Sequence, residues 1–197
     1  RKRGMDAPSE ELMNKTFKEV QEARKNKAKV TKRAAVILAD FPDYPGTTNP
    51  AHYDTLLNSI GLLPTGSVKE YYNEVSYGTI NMEFLITPVW VRLPNNLTYY
   101  TNNQYGMGSW PQNAQRMAYD AVLAADPYID FSQCDMDGNG EIDALIIIHA
   151  GPGAESTGNP NHIWSHAWVI PVTLYVDGVK AYSYTCLLYT SPSPRDR

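Results

Sequence analysis

Met13, Phe17, Val20 and Ala23 recur three or four residues apart, and Leu12 widens the stripe at its start. This spacing predicts an amphipathic helix over residues 9–28, capped by Ser9, with Glu10 and Glu11 suiting its positive end. Ala34 to Ala39 is a continuous apolar run that predicts a buried strand, and Asp40-Phe41-Pro42-Asp43-Tyr44-Pro45-Gly46 ends it with turn chemistry. Tyr53, Leu56, Leu57 and Ile60 give a weaker helical pattern over residues 50–60. Ser67-Val68-Lys69-Glu70 is a capping box, in which the serine accepts from the Glu70 backbone and the glutamate returns the bond. Val68, Tyr71, Tyr72 and Val75 continue that helix, and Gly78 offers a left-handed stop.

Residues 80–86 and 89–93 alternate like strands. Residues 111–125 have helical spacing, with Pro111 placed in the first turn. Residues 144–149 form an isoleucine-rich run whose composition predicts burial on both faces. Residues 172–184 read as two alternating strands around Val176-Asp177-Gly178-Val179, a strong hairpin signal. No internal repeat is present. The mixture of helices and strands predicts an α/β or α+β domain. From Cys186 onward the alternation gives way to Ser-Pro-Ser-Pro-Arg, which has no core to offer and looks like a translated construction joint. The expected division is a basic leader at 1–32, a domain portion at 33–185 and a non-native tail at 186–197. The leader reads equally well as a linker helix or as the end of a propeptide.

The 197 residues suit one globular domain with an extra segment, and 43% apolar content supports a sizeable core. Fourteen tyrosines against four phenylalanines favour half-buried positions with wet tips. The net charge of −4 hides an asymmetry of +6 over residues 1–33 and −10 over the rest. The basic residues are scattered through a helical pattern, so they read as a solvated face rather than a nucleic-acid patch. The acidic body argues against nucleic acid and suits bound calcium. Two cysteines, Cys134 and Cys186, exclude a disulfide scaffold. No run of 18 apolar residues exists, so no membrane span is predicted. No signal peptide is visible, and a chain opening at Arg1 is expected to lack its natural start.

The sharpest motif is Asp135-Met136-Asp137-Gly138-Asn139-Gly140-Glu141-Ile142-Asp143. Calcium takes six to eight oxygens at about 2.3–2.6 Å, and Asp135, Asp137 and Asn139 at alternating positions can converge on one ion. Gly140 permits the sharp turn, Glu141 can give its backbone carbonyl, Ile142 anchors the loop and Asp143 can ligate directly or through water. Ile146 stands where an EF-hand has its glutamate, and a strand follows instead of a helix. The remaining ligand is therefore expected from elsewhere, with Asp130 as the candidate. The ion's role would be structural, because it neutralises like charges that otherwise repel.

His162 and His166 have the spacing of two zinc ligands on one helix face, but His-Ile-Trp-Ser-His lacks the glutamate a metallopeptidase uses as its base. Asn159-Pro160-Asn161 marks a turn before them, so structural or cleft-rim roles are the default. His149 leads into Gly151-Pro152-Gly153, a loop suited to a cleft wall. There is no serine nucleophile elbow, phosphate-binding glycine loop or paired-cysteine metal site. Asn14-Lys15-Thr16 and Asn96-Leu97-Thr98 fit glycosylation sequons.

In order along the chain, several segments resemble the immune inhibitor A family of secreted zinc metallopeptidases. They are Ala35-Val36-Ile37-Leu38-Ala39-Asp40-Phe41-Pro42-Asp43, the stretch from Ser67 to Gly78, and the calcium-like loop into Asp143-Ala144-Leu145. His149-Ala150-Gly151-Pro152-Gly153-Ala154-Glu155 and Ile163-Trp164-Ser165-His166 complete the set. The resemblance covers about residues 33–185. It implies a zincin-like fold, a twisted mixed sheet with helices. It also implies secretion to the extracellular space, zinc, bound calcium and protein or peptide substrates. In such enzymes H-E-x-x-H follows the hairpin that here ends near Tyr184, and no such motif occurs in these residues. No zinc ligand or catalytic base can therefore be carried over. The expectation is an incomplete, inactive portion of the peptidase domain, marginally stable, with His149, Glu155 and His166 as cleft wall. The alternatives are a non-catalytic calcium-stabilised extracellular binding module, a glycan-binding domain, or another hydrolase built on His149, Glu155 and His166.

Overall fold

The computed structural model describes residues 10–26 and 28–188. The central strand β1 (Val30–Asp40) is longer than its apolar run, and it shows why the domain has two cores. Successive side chains of a strand point to opposite faces. Ala35, Ile37 and Ala39 enter one core, whereas Ala34, Val36 and Leu38 enter the other. β1 lies between β2 (Ile80–Ile86) and β4 (Leu145–His149), parallel to both. β3 (Val91–Arg92) extends the pairing of β1 at Ala39 and Asp40.

On its far side β4 pairs in parallel with β8 (Ser183–Leu188), and β8 pairs with the antiparallel edge strand β5 (His166–Val169). The sheet order is β2-β1-β4-β8-β5. Helices α4 (Leu97–Thr101) and α5 (Ala114–Ala125) cover the face holding Ile37 and Ile147. Tyr53 of α2 (Pro50–Asn58) and Val68 of α3 (Val68–Val75) pack on the other. This mixed sheet between helices is the α/β architecture expected, consistent with a zincin-like domain.

Local rules explain most boundaries. Ser67 and Glu70 form the reciprocal capping box. Glu70 also accepts from the Gly61 N–H at 2.8 Å, which holds the preceding loop. Ser67→Ala is expected to cost about 1 kcal/mol, read as a lowered urea midpoint with unchanged slope. At the other end of α3, Gly78 N–H reaches the Asn73 carbonyl and Tyr77 N–H the Glu74 carbonyl. That is a Schellman stop, with Tyr77 itself left-handed at φ 55° ahead of Gly78.

Several expectations need correction. α5 begins at Ala114, because the Asn113 side chain caps it by accepting from Arg116 N–H, so Pro111 lies before the helix. The Asp177-Gly178 turn is a hairpin with both residues left-handed, but it joins only β6 (Tyr175–Val176) to β7 (Val179–Lys180). The chain then leaves the hairpin to enter the main sheet as β8. That strand runs past Thr185 to Leu188, with Cys186 buried opposite Ile147 and His166. Pairing of β8 with β4 thus continues to Leu188. α1 (Glu10–Asn26) occupies the predicted leader helix, and of its apolar stripe Ala23 is buried while Met13 and Phe17 are 50% and 64% exposed. Ser9 and residues 189–197 lie outside the described residues. Among those described, no helix is long and apolar enough to cross a membrane.

Candidate metal centre and histidine cluster

Residues 135–143 sit between the 3₁₀ turn η1 (Phe131–Cys134) and β4. Backbone N–H groups hold the acidic side chains inward. Asp135 accepts from Asn139 N–H at 3.0 Å and Gly140 N–H at 2.9 Å, Asp137 from Asn139 N–H at 3.1 Å, and Asn139 from Glu141 N–H at 2.7 Å. Asp143 accepts from Met136 N–H at 2.9 Å across the loop mouth. Gly138 and Gly140 are left-handed at φ 70° and 82°, conformations that glycine adopts without strain.

Asp135, Asp137 and Asp143 each offer a carboxylate oxygen, and these lie within 4.8 Å of one another. Burial raises the Asp143 pKa, and the charges of Asp137 and Asp135 push the same way against the Met136 hydrogen bond. A cation would relieve both effects. All-oxygen donors suit calcium.

The loop is tied to the domain at its exit. Ile142 is buried, and its N–H donates to the Lys180 carbonyl at 3.0 Å, while Lys180 N–H returns to the Gly140 carbonyl at 2.8 Å. The Glu141 carboxylate accepts from Lys180 Nζ at 2.8 Å, and Asp177 accepts from Phe131 N–H at 2.8 Å. Loop and hairpin thus brace each other, a pairing that sequence spacing alone could not show. Asp130, the candidate extra ligand, instead caps η1 by accepting from Ser132 and Gln133. It lies outside the carboxylate group.

His149, His162 and His166 gather near the C-terminal end of β4. His149 is fully buried, its Nδ1 lies 2.8 Å from the Ala150 carbonyl, and Nε2 has no hydrogen-bond partner among the described residues. His166, at the start of β5, has Nδ1 2.6 Å from the Trp164 carbonyl and Nε2 3.0 Å from the Tyr184 hydroxyl. Carbonyl acceptors place the proton on Nδ1 of both rings, so each Nε2 is a lone-pair acceptor. Burial lowers the His166 pKa to about 4, with neighbouring His149 adding to the shift. Burial likewise lowers that of His149.

Glu155 lies on α6 (Ala154–Thr157), and its carboxylate accepts from Ser165 N–H at 3.2 Å. Its charge opposes the lowering at both histidines, so the three residues share one neighbourhood. His162 and His166 do not form a helical pair. His162 sits in the turn before β5, 2.7 Å from Thr157 Oγ1, with its ring edge-on to Tyr44. Sequence reasoning missed Tyr184, because its partner lies on a neighbouring strand.

Among the described residues, the group of three or more metal-ligating side chains that converges is the aspartate set. None of the histidines joins it.

Comparison with known proteins gives these features a context. The chain is 29% identical over 164 residues to Immune inhibitor A of Bacillus thuringiensis subsp. alesti, covering 70% of this chain and 24% of that protein. It is 29% identical over 192 residues to Pre-pro-metalloprotease PrtV of Vibrio cholerae serotype O1, covering 78% of this chain and 21% of that protein. The chain thus spans about a quarter of the length of these relatives. The catalytic-domain profile of the immune inhibitor A peptidases, peptidase family M6, matches residues 19–185. The chain belongs to the immune inhibitor A peptidase M6 family.

Proposed function

We propose that this chain forms the calcium-stabilised sheet portion of the catalytic domain of a secreted zinc-dependent metalloendopeptidase. The observation that carries this reading is the match of residues 19–185 to a peptidase catalytic domain. The chain's own residues would supply scaffold and substrate contacts, and zinc would supply the activated water of peptide hydrolysis. Since the sequence has no H-E-x-x-H, the zinc ligands are expected from outside these 197 residues, and the polypeptide alone is expected to be inactive. Secretion is proposed on the likeness to a relative named as a pre-pro-metalloprotease.

The edge strand β5 suits an extended protein substrate. The Val169 carbonyl accepts from Gln115 Nε2 at 2.7 Å and so points away from β8. Backbone groups of alternate residues point the same way, which turns those of Ala167 toward the same outer edge. A peptide could add there as a further strand, with the exposed Glu155 forming the wall at its end and the buried His149 and His166 standing behind it. In the metal centre, Asp135, Asp137, Asn139, Asp143 and the Glu141 carbonyl would hold calcium.

The test is hydrolysis of unfolded casein by the 197-residue chain and by the full-length protein of its source gene, with and without a zinc chelator. The expected result is chelator-sensitive cleavage by the full-length protein alone. A full-length protein that binds calcium but cleaves nothing would overturn the reading in favour of an extracellular binding module.

A further inference from the structure

A positive charge is already seated on the acidic loop. The ammonium of Lys15, on α1, donates to Oδ2 of Asp137. Asp137 is one of the three clustered carboxylates, and Asp143 also acts on the Lys15 charge. Lys32 acts on Asp137 and Asp143 as well, while bonding Glu19 of α1 at 2.8 Å.

The two halves of α1 are held differently. In the second half Ala23 is buried, and Arg24 lies over the Tyr77 ring at 5.2 Å. In the first half Met13 and Phe17 stay exposed. Among the described residues, the Lys15–Asp137 pair is the ion pair that ties the first half to the acidic loop.

We infer that Lys15 and a divalent cation compete for Asp137, so that cation binding in the loop releases the first half of α1 from the domain. This rests on the calcium reading above. A cation at ligand distance of about 2.3–2.6 Å from Asp137 uses the same oxygens and repels the ammonium. Coupling is reciprocal, so a docked Lys15 weakens the cation by the same factor as the cation weakens docking. The lysine is solvent-exposed, which limits that factor to roughly two- to fivefold. The first half of α1 would thus be held roughly two- to fivefold more tightly where calcium is scarce than where it is plentiful.

Calorimetric titration with calcium chloride, paired with amide hydrogen exchange across α1, tests this in the wild-type chain and in Lys15→Gln. Lys15 is exposed, so the substitution leaves the core intact. The expected result is a roughly two- to fivefold lower Kd in Lys15→Gln. Calcium should also speed exchange in the first half of α1 in the wild type but not in the variant. Equal Kd values with calcium-independent exchange would overturn the competition while leaving the calcium site standing. No binding at millimolar calcium in either protein would overturn both.

Discussion

Acidification from pH 6.5 to about pH 4 is expected to strip about 3 kcal/mol of stability through His166 alone. The ring is neutral in the fold because it is buried and its Nε2 accepts the Tyr184 hydroxyl. Its folded pKa of about 4 lies below the ordinary value of 6.5. Between these values the unfolded chain binds a proton that the folded chain refuses, so stability falls as pH falls. Above pH 6.5 both states are neutral and the effect vanishes. His149, buried with no hydrogen-bond partner at Nε2 among the described residues, pushes in the same direction. Asp143 opposes them weakly, since its raised pKa lets the fold take up a proton more readily. Urea unfolding at pH 7, 5.5 and 4.5 should show the loss. His166→Gln cannot charge and should flatten the pH dependence. An unchanged slope in that variant would remove His166 as its cause.

Calcium is expected to be the strongest ligand-linked stabiliser. At a free concentration a hundred times Kd it adds about 2.7 kcal/mol. For a domain of this size that raises Tm by roughly 5–10 °C. The gain arises because the ion converts repulsion among Asp135, Asp137 and Asp143 into shared attraction, and because the loop is braced against β7 through Ile142 and Lys180. Asp143→Asn separates the two contributions. The amide oxygen can still accept from Met136 N–H, while one half-buried like charge is removed. This variant should therefore be more stable than wild type without calcium and gain little from it. Scanning calorimetry in calcium and in chelator checks both signs. A wild-type Tm indifferent to millimolar calcium would sink the prediction.

Much of the fold could be read from local chemistry. The capping box at Ser67 and Glu70, the Asp177-Gly178 turn and the isoleucine run of β4 each act within a few residues, and each appears where its pattern stands. Elements set by distant partners were illegible. β5 is four residues long and exists because β8 offers it hydrogen bonds, so the sequence showed a turn before His162 and His166 but not that His166 opens a strand. β8 passes Thr185 because β4 continues beside it, whatever the composition that follows. The loop's ligand-like pattern was visible because such ligands must alternate. Its brace to Lys180, the diversion of Asp130 to η1 and the Lys15 contact all depend on tertiary placement.

The most direct measurement is a crystal structure grown in calcium chloride, with the ion located by its anomalous signal. The expected result is one calcium at about 2.3–2.6 Å from oxygens of Asp135, Asp137, Asn139 and Asp143 and from the Glu141 carbonyl. A loop that keeps its hydrogen bonds but holds no ion, or an ion bound without Asp135 and Asp137, would contradict the calcium-stabilised reading.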